Sequence, residues 1–313
     1  MAERRERFRM DFVMKVLSVD EQSRTVQFTL EPDPRRYEWR ENERGKFLFD
    51  KLDNLAFPER AFFENMKQMV GKPIFHQPQQ IGDSRSYAHS RRQHIVSLLE
   101  GVQSPQGFSD RSEDFLESLS VDELEFVIVS IDIVGSTRLV TTMEPPKYAK
   151  LINTVLYELS ELVPKFHGHV LKYTGDGLIA YFPAPSFITK NDLAIDCALS
   201  CRLLVHEVLN PALLERGFPT INLRTGLDSG EAFIQTVGSS ETKRHKDIIG
   251  AVVSLAVKIQ ALAPPGEIYL GETTVRNLYI AWRELCERVD AGPGWAYKDA
   301  SGKPYGVWRV RMT

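Results

Sequence analysis

The chain has 313 residues, enough for two domains, and its 39 basic and 42 acidic side chains leave a formal net charge of −3. That balance excludes the broad electrostatic attraction to nucleic acid or to a membrane surface that a strongly basic protein shows. Apolar residues at 42% and charged ones at 26% describe an ordinary globular protein. Cys197, Cys201 and Cys286 form no disulfide or metal framework, and the first two, four apart in a helical pattern, read as core thiols. Met1 to Arg7 is charged, no signal-peptide core follows it and no run reaches transmembrane length, so a cytoplasmic protein is expected.

In chain order, apolar residues between Arg9 and Leu30 alternate about Asp20-Glu21-Gln22-Ser23, which predicts a β-hairpin. Tyr37, Trp39, Phe47, Phe49 and Leu52 suggest further strand, and Pro58 to Val70 a helix with proline in its first turn. Ile74 to Ser86 reads as irregular and Ser90 to Glu100 as an amphipathic helix. His76, His89 and His94 fit no common ligand spacing, and a solvated helix face is the expectation for them. Residues 1–105 are read as a small α+β domain with a regulatory role, and Gly101 to Gly107 as the best linker. Residues 106–120 form the linker and a short helix near Asp110 to Leu119, and residues 121–313 a second domain.

In that second domain, Glu125 to Leu139 (EFVIVSIDIVGSTRL) and His169 to Pro183 (HVLKYTGDGLIAYFP) each begin as a buried-strand run. Each then carries one aspartate, Asp132 or Asp176, where a strand prefers an apolar residue. An unpaired buried carboxylate costs several kcal/mol, so an acid there is usually paired, protonated or metal-bound. Taken alone, either aspartate is more often a turn or cap residue. Small residues beside them, and the turn Ile133-Val134-Gly135-Ser136-Thr137 with its backbone N–H groups and hydroxyls, suit Mg²⁺ and a triphosphate.

Further along, a helix is predicted from Pro145 to Phe166, ended by Gly168, and Thr174-Gly175-Asp176-Gly177 as a tight hairpin. A helix from Asp192 to Leu209 follows. Ile221–Asp228 and Glu231–Val237 read as a hairpin about Ser229-Gly230. The last elements are a helix from Ile248 to Leu262, a strand from Glu267 to Leu270, a helix from Thr273 to Ile280 and a strand pair within Tyr297 to Arg311. This order matches a ferredoxin-like βαββαβ core, giving an α+β fold class.

These spacings resemble the class III nucleotidyl cyclases, the family of adenylate and guanylate cyclases, over roughly residues 121–311. The resemblance implies that Asp132 and Asp176, with the Ile133 carbonyl, hold two Mg²⁺ or Mn²⁺ ions per site on a triphosphate. It implies for Asp132 a share in deprotonating the ribose hydroxyl. Gly135, Ser136 and Thr137 match the family's phosphate loop, and Arg224 an arginine on phosphate oxygens, where a guanidinium fork suits the geometry. Lys172 and Asp247 fall on the two base-selecting positions and are those of adenylate cyclases. Guanine recognition commonly uses glutamate at the Lys172 position. The family's transition-state asparagine is replaced by Ser254 and its arginine by Lys258, and Lys keeps the charge without the planar fork. Lys298 or Lys303 could supply a further phosphate contact.

What the resemblance implies is a cyclase making a 3′,5′-cyclic nucleotide and pyrophosphate by two-metal catalysis, with ATP the favoured substrate. Since the metal-binding and the base-binding sets lie on one chain, a homodimer with composite sites is expected, without nucleic-acid or membrane partners. Loss of the asparagine and arginine keeps open a pyrimidine cyclase making cyclic UMP or cyclic CMP as an antiviral signal. A degenerate, regulatory cyclase-like module is a third reading. The glycine-glycine-acid-acid-phenylalanine signature of diguanylate cyclases is absent.

Overall fold

The computed structural model describes residues 10–20, 25–63, 80–102, 112–118, 123–183, 189–239 and 244–311. The chain forms two compact units, Met1–His76 with Tyr279–Glu284, and Gln77–Leu278 with Leu285–Thr313.

In the first unit, strands β1 (Phe12–Asp20) and β2 (Thr25–Pro32) pair antiparallel as the alternation predicts. Strands β3 (Tyr37–Asn42), β4 (Gly45–Asp50) and β5 (Leu55–Pro58) form an antiparallel meander. Tyr37, Leu48 and Phe62 make its small core, with Trp39, Phe57, Phe12 and Met10 packed around them. Arg36 is almost fully buried and donates to Asp11, Asp50 and Asp53. A buried guanidinium is tolerated only when paired in this way. The predicted helix begins over residues 59–63, and its continuation to Val70 lies outside the described residues. The short segment Tyr279–Glu284 belongs to this unit through the Tyr279 hydroxyl on Asp33 and Arg283 on Asp53.

The second unit is built on one sheet. Its strands are β6 (Glu123–Ile133), β7 (His169–Tyr173), β8 (Gly177–Phe182), β9 (Leu223–Val237), β10 (His245–Ile249), β11 (Ile268–Gly271), β12 (Cys286–Val289) and β13 (Val307–Val310). They lie in the order β12-β13-β11-β9-β6-β8-β7, with β10 on β9. The stretch β9-β6-β8-β7 is antiparallel throughout. With helices Pro145–Leu162 and Lys190–Leu204 as its two crossovers, it is the expected ferredoxin-like core. β6 is central, and Phe126 to Val129, Ile131 and Ile133 are buried along its length.

Several elements differ from the sequence reading. Residues 221–237 are not a hairpin: Ser229 and Gly230 continue β9, opposite Val127 and Phe126 of β6. The Ser229 hydroxyl reads as a turn signal, yet it is buried and bonded to Asn191 and Thr274, which relieves the cost of a polar group in the core. Residues 245–249 are strand, so the helix begins only at Ala251. The helix from Pro145 ends at Leu162, and a 3₁₀ turn over Val163–Phe166 follows, closed by His167 at the left-handed φ of 59°. Gly168 serves close approach instead, since a Cβ there would stand 2.6 Å from the Phe182 ring. Of the predicted C-terminal strand pair only β13 is a full strand, and it pairs with β11 and β12. The helical stretch Lys190–Glu215 is long and apolar enough to cross a membrane, but Leu193, Ala194, Ile195, Cys197, Cys201 and Leu204 are buried in the core.

The units divide at His76, well before the boundary expected at residue 105. Helices Ser84–Ser90 and Arg92–Glu100 belong to the second unit because buried Glu158 takes both Arg91 and His94. His94 is therefore a hydrogen-bond partner of Glu158 and not a solvated residue, while His76 and the proposed linker at 103–107 lie outside the described residues. The short linker helix runs Ser112–Ser118.

Asp228 on β9 is 1% exposed and accepts from the Tyr305 hydroxyl at 2.6 Å. Burial pushes its carboxyl up to about 7, against the bonds from Tyr305 and the Ser229 backbone. The folded chain thus holds this proton more tightly than the unfolded chain does. Its contribution to stability is full below the ordinary carboxylate range and is lost as pH rises from about 4 to about 7. The denaturation midpoint of Asp228→Asn, compared with wild type across that window, should gain on wild type as pH rises and then level off. A constant difference from pH 4 to 8 would contradict the assignment.

Candidate active site

Asp132 is the penultimate residue of β6, and the register sets it between Gly177 of β8 and Arg224 of β9. Cross-strand neighbours share a face, so Arg224 is delivered to Asp132 by the sheet itself. Its Nε and Nη2 donate to the Asp132 Oδ2 at 2.8 and 2.7 Å, and Gln260 Nε2 reaches the same oxygen at 3.5 Å. On the other side stands Asp176, in a turn closed by the Thr174 N–H on the Gly177 carbonyl and opened by Gly175 at φ 95°. Burial pushes the Asp132 carboxyl up, the Arg224 bonds pull it down and the neighbouring Asp176 pushes it up again, for a net rise. Tyr148 feels the same Asp176 charge after its own burial. Two carboxylates thus face one another with one arginine to balance them.

Gly177 makes this approach possible. A Cβ there would collide with the Ile131 carbonyl oxygen and stand 3.1 Å from the Asp132 Cα. After β6 the chain turns at Gly135, φ 73°, which precedes the helix Ser136–Thr142. The Gly135 carbonyl accepts from Arg138 and Leu139. Ser136 is buried and Thr137 exposed at the helix start, where first-turn N–H groups lack intrahelical acceptors.

The other predicted residues form two further groups. Lys172 on β7 and Asp247 on β10 meet at 2.7 Å between Nζ and Oδ2. Asp247 is held by its other oxygen on the Ile248 N–H at 2.9 Å. Ser254 and Lys258 are both exposed, one turn apart on helix Ala251–Leu262. That helix lies close on β9, where Gly226 leaves no room for a Cβ against the Gln260 and Ala256 backbone. Among the described residues no hydrogen bond or ion pair joins one of these three groups to another. Lys298 and Lys303 flank an exposed turn capped by Asp299. Sequence reading missed Gln260, whose only signal is a polar residue at a buried position of an apolar helix, and the steric need for Gly177.

Residues 122–291 match the family model for the adenylate and guanylate cyclase catalytic domain. The chain belongs to this family. Among curated relatives, the chain is 28% identical to a cytidylate cyclase of Escherichia coli over 160 residues, which is 49% of this chain and 35% of that protein. It is 27% identical to an adenylate cyclase of Anabaena cylindrica over 193 residues, 59% of this chain and 36% of the other. The chain therefore spans about a third of the length of these relatives. In fold it is similar to the crystal structure of an adenylyl cyclase from P. aeruginosa (TM-score 0.54, 22% identity, 62% of this chain and 97% of the other). It is similar also to that of a guanylyl cyclase (TM-score 0.53, 23% identity, 61% and 94%).

The donor set at Asp132 and Asp176 fits a hard divalent cation: two facing carboxylates beside a backbone turn. Among the described residues no cluster of three or more His, Cys, Asp or Glu side chains could hold a metal. A cation held by the two carboxylates would take its remaining ligands from backbone, water or substrate oxygens, a pattern usual for Mg²⁺. Gly177→Ala should destabilise the cyclase unit by about 1–3 kcal/mol, the usual cost of forcing an atom into filled space. Urea denaturation would measure it, and an unchanged midpoint would show that the β6–β8 approach is not tight.

Proposed function

We propose that this chain converts a nucleoside triphosphate to its 3′,5′-cyclic monophosphate and pyrophosphate, with ATP the favoured substrate. The observation that carries the reading is the Asp132–Asp176 pair flanked by Arg224, on the sheet of a cyclase-family domain. In this reading Asp132, Asp176 and the Ile133 carbonyl hold Mg²⁺ or Mn²⁺. Bound there, the ions lower the cost of ionising the ribose 3′-hydroxyl and of leaving charge on pyrophosphate. The 3′-oxygen bonds to the α-phosphorus as the bond to the bridging oxygen of the β-phosphate breaks, and the hydroxyl proton passes to solvent with Asp132 sharing in its removal.

The chain's own residues orient the reactants. The backbone of Gly135, Ser136 and Thr137 offers N–H groups to phosphate, and Arg224 offers a fork to its oxygens. Lys172 donates to a ring nitrogen of adenine and Asp247 accepts from the exocyclic amine. The two are already paired, which fixes their mutual position before the base arrives. Lys258 faces the α-phosphate and Ser254 the ribose. Both are exposed on their helix and, among the described residues, make no hydrogen bond or ion pair to the carboxylate pair, which supports a site shared between two copies of the chain, each contributing one set. The N-terminal unit is assigned a regulatory role on the same reading.

A second reading has its own support. The cytidylate cyclase similarity, with Ser254 and Lys258 in place of the family's asparagine and arginine, favours a pyrimidine substrate and a role in antiviral signalling.

Asp132→Ala and Asp176→Ala should each lower cyclic nucleotide formation by at least about 10²-fold, the scale for losing a principal electrostatic group. Circular dichroism should show the fold retained. Activity that survives either change would remove the carboxylate pair from the reaction. Lys258→Arg should keep or raise turnover, and a loss of turnover would take that residue off the α-phosphate.

A further inference from the structure

The partner that Asp132 holds at rest is itself a residue of the site. Arg224 sits directly opposite it in the β6–β9 register, and both bonds it gives go to one oxygen, Oδ2. The pair is partly wet: the Arg224 side chain is 35% exposed and that of Asp132 17%. Arg224 can therefore turn toward solvent without unpacking the core, and opening a partly exposed pair costs less than opening a buried one. Asp176 adds a second negative charge on the far side of Asp132. A divalent cation held by the two carboxylates would turn the surroundings of Arg224 from negative to positive. The triphosphate would at the same moment offer it oxygens of better fit.

We propose that Arg224 is a resident counter-ion that exchanges partners, neutralising Asp132 before the cation arrives and passing to the nucleotide phosphates when the cation takes its place. The proposal rests on the carboxylate-pair reading above and adds a coupling to it. Cation and Arg224 compete for one oxygen, while phosphate draws Arg224 away from it. Cation and phosphate therefore favour each other's binding through Arg224 as well as through direct contact, and by linkage the effect is reciprocal. A merely bracing arginine has the opposite signature, since its loss would slacken Asp132 and weaken the metal site.

The test is the affinity of the full chain for Mn²⁺ alone, without nucleotide, followed by the paramagnetic resonance of the free ion. Wild type is compared with Arg224→Gln, Arg224→Lys and Asp132→Asn, each checked by circular dichroism. Arg224→Gln should bind Mn²⁺ at least about fivefold tighter, the lower end of ordinary coupling between sites. Arg224→Lys should fall between it and wild type, because an ammonium keeps the charge without the two-toothed hold on Oδ2. Inorganic triphosphate, titrated with chelator present, should bind Arg224→Gln more weakly than wild type. Equal or weaker Mn²⁺ binding by Arg224→Gln overturns the exchange. So does Arg224→Lys at wild-type affinity, which would reduce the effect to net charge. If wild type binds Mn²⁺ no better than Asp132→Asn, the carboxylate pair itself is not a metal site, and the exchange falls with it.

Discussion

Two like charges held close at the end of an interior strand are the constraint on which the rest of the family-matched unit depends. Asp132 is carried there by β6, an interior strand of the sheet, and Asp176 by the tight turn into β8. Gly177 lets the strands approach, and β9 brings in Arg224 as the compensating charge. An arrangement that repels itself persists only if the surrounding structure fixes it. Here the ladder on both sides of β6 does so. On the proposed reading, two carboxylates held together have already met part of the cost of assembling a divalent-cation site.

Much of this was legible in the sequence, for a physical reason. Buried strands with an acid at one end stand out, since apolar runs rarely tolerate a carboxylate without cause. The ferredoxin-like order followed from helices and strands whose periodicities differ plainly. What stayed hidden depends on contacts distant along the chain. Ser229 looked like a turn because its partners, Asn191 and Thr274, are 38 and 45 residues away. Asp247 stood just ahead of a predicted helix, and nothing local announced that it would join β10 and meet Lys172, 75 residues earlier.

The domain boundary was hidden in the same way. Helices Ser84–Ser90 and Arg92–Glu100 read as part of an N-terminal domain by proximity in sequence, whereas Glu158 draws Arg91 and His94 to the catalytic unit. In return, Tyr279 to Glu284 leave the family-matched span to complete the first unit through Asp33 and Asp53. Polar pairs distant along the chain decide both assignments, because a buried carboxylate such as Glu158 or Asp33 would be costly to leave unpaired.

The central claim is that the carboxylate pair serves nucleotide cyclisation, with Lys172 and Asp247 choosing the base. The most direct measurement is mass spectrometry of the products formed by the purified chain from ATP, GTP, CTP and UTP separately, with Mg²⁺ and with Mn²⁺. Cyclic AMP and pyrophosphate from ATP is the result the account predicts. Cyclic CMP or cyclic UMP would keep the chemistry and overturn the base assignment, and no cyclic product from any of the four, with the fold intact, would contradict the account as a whole.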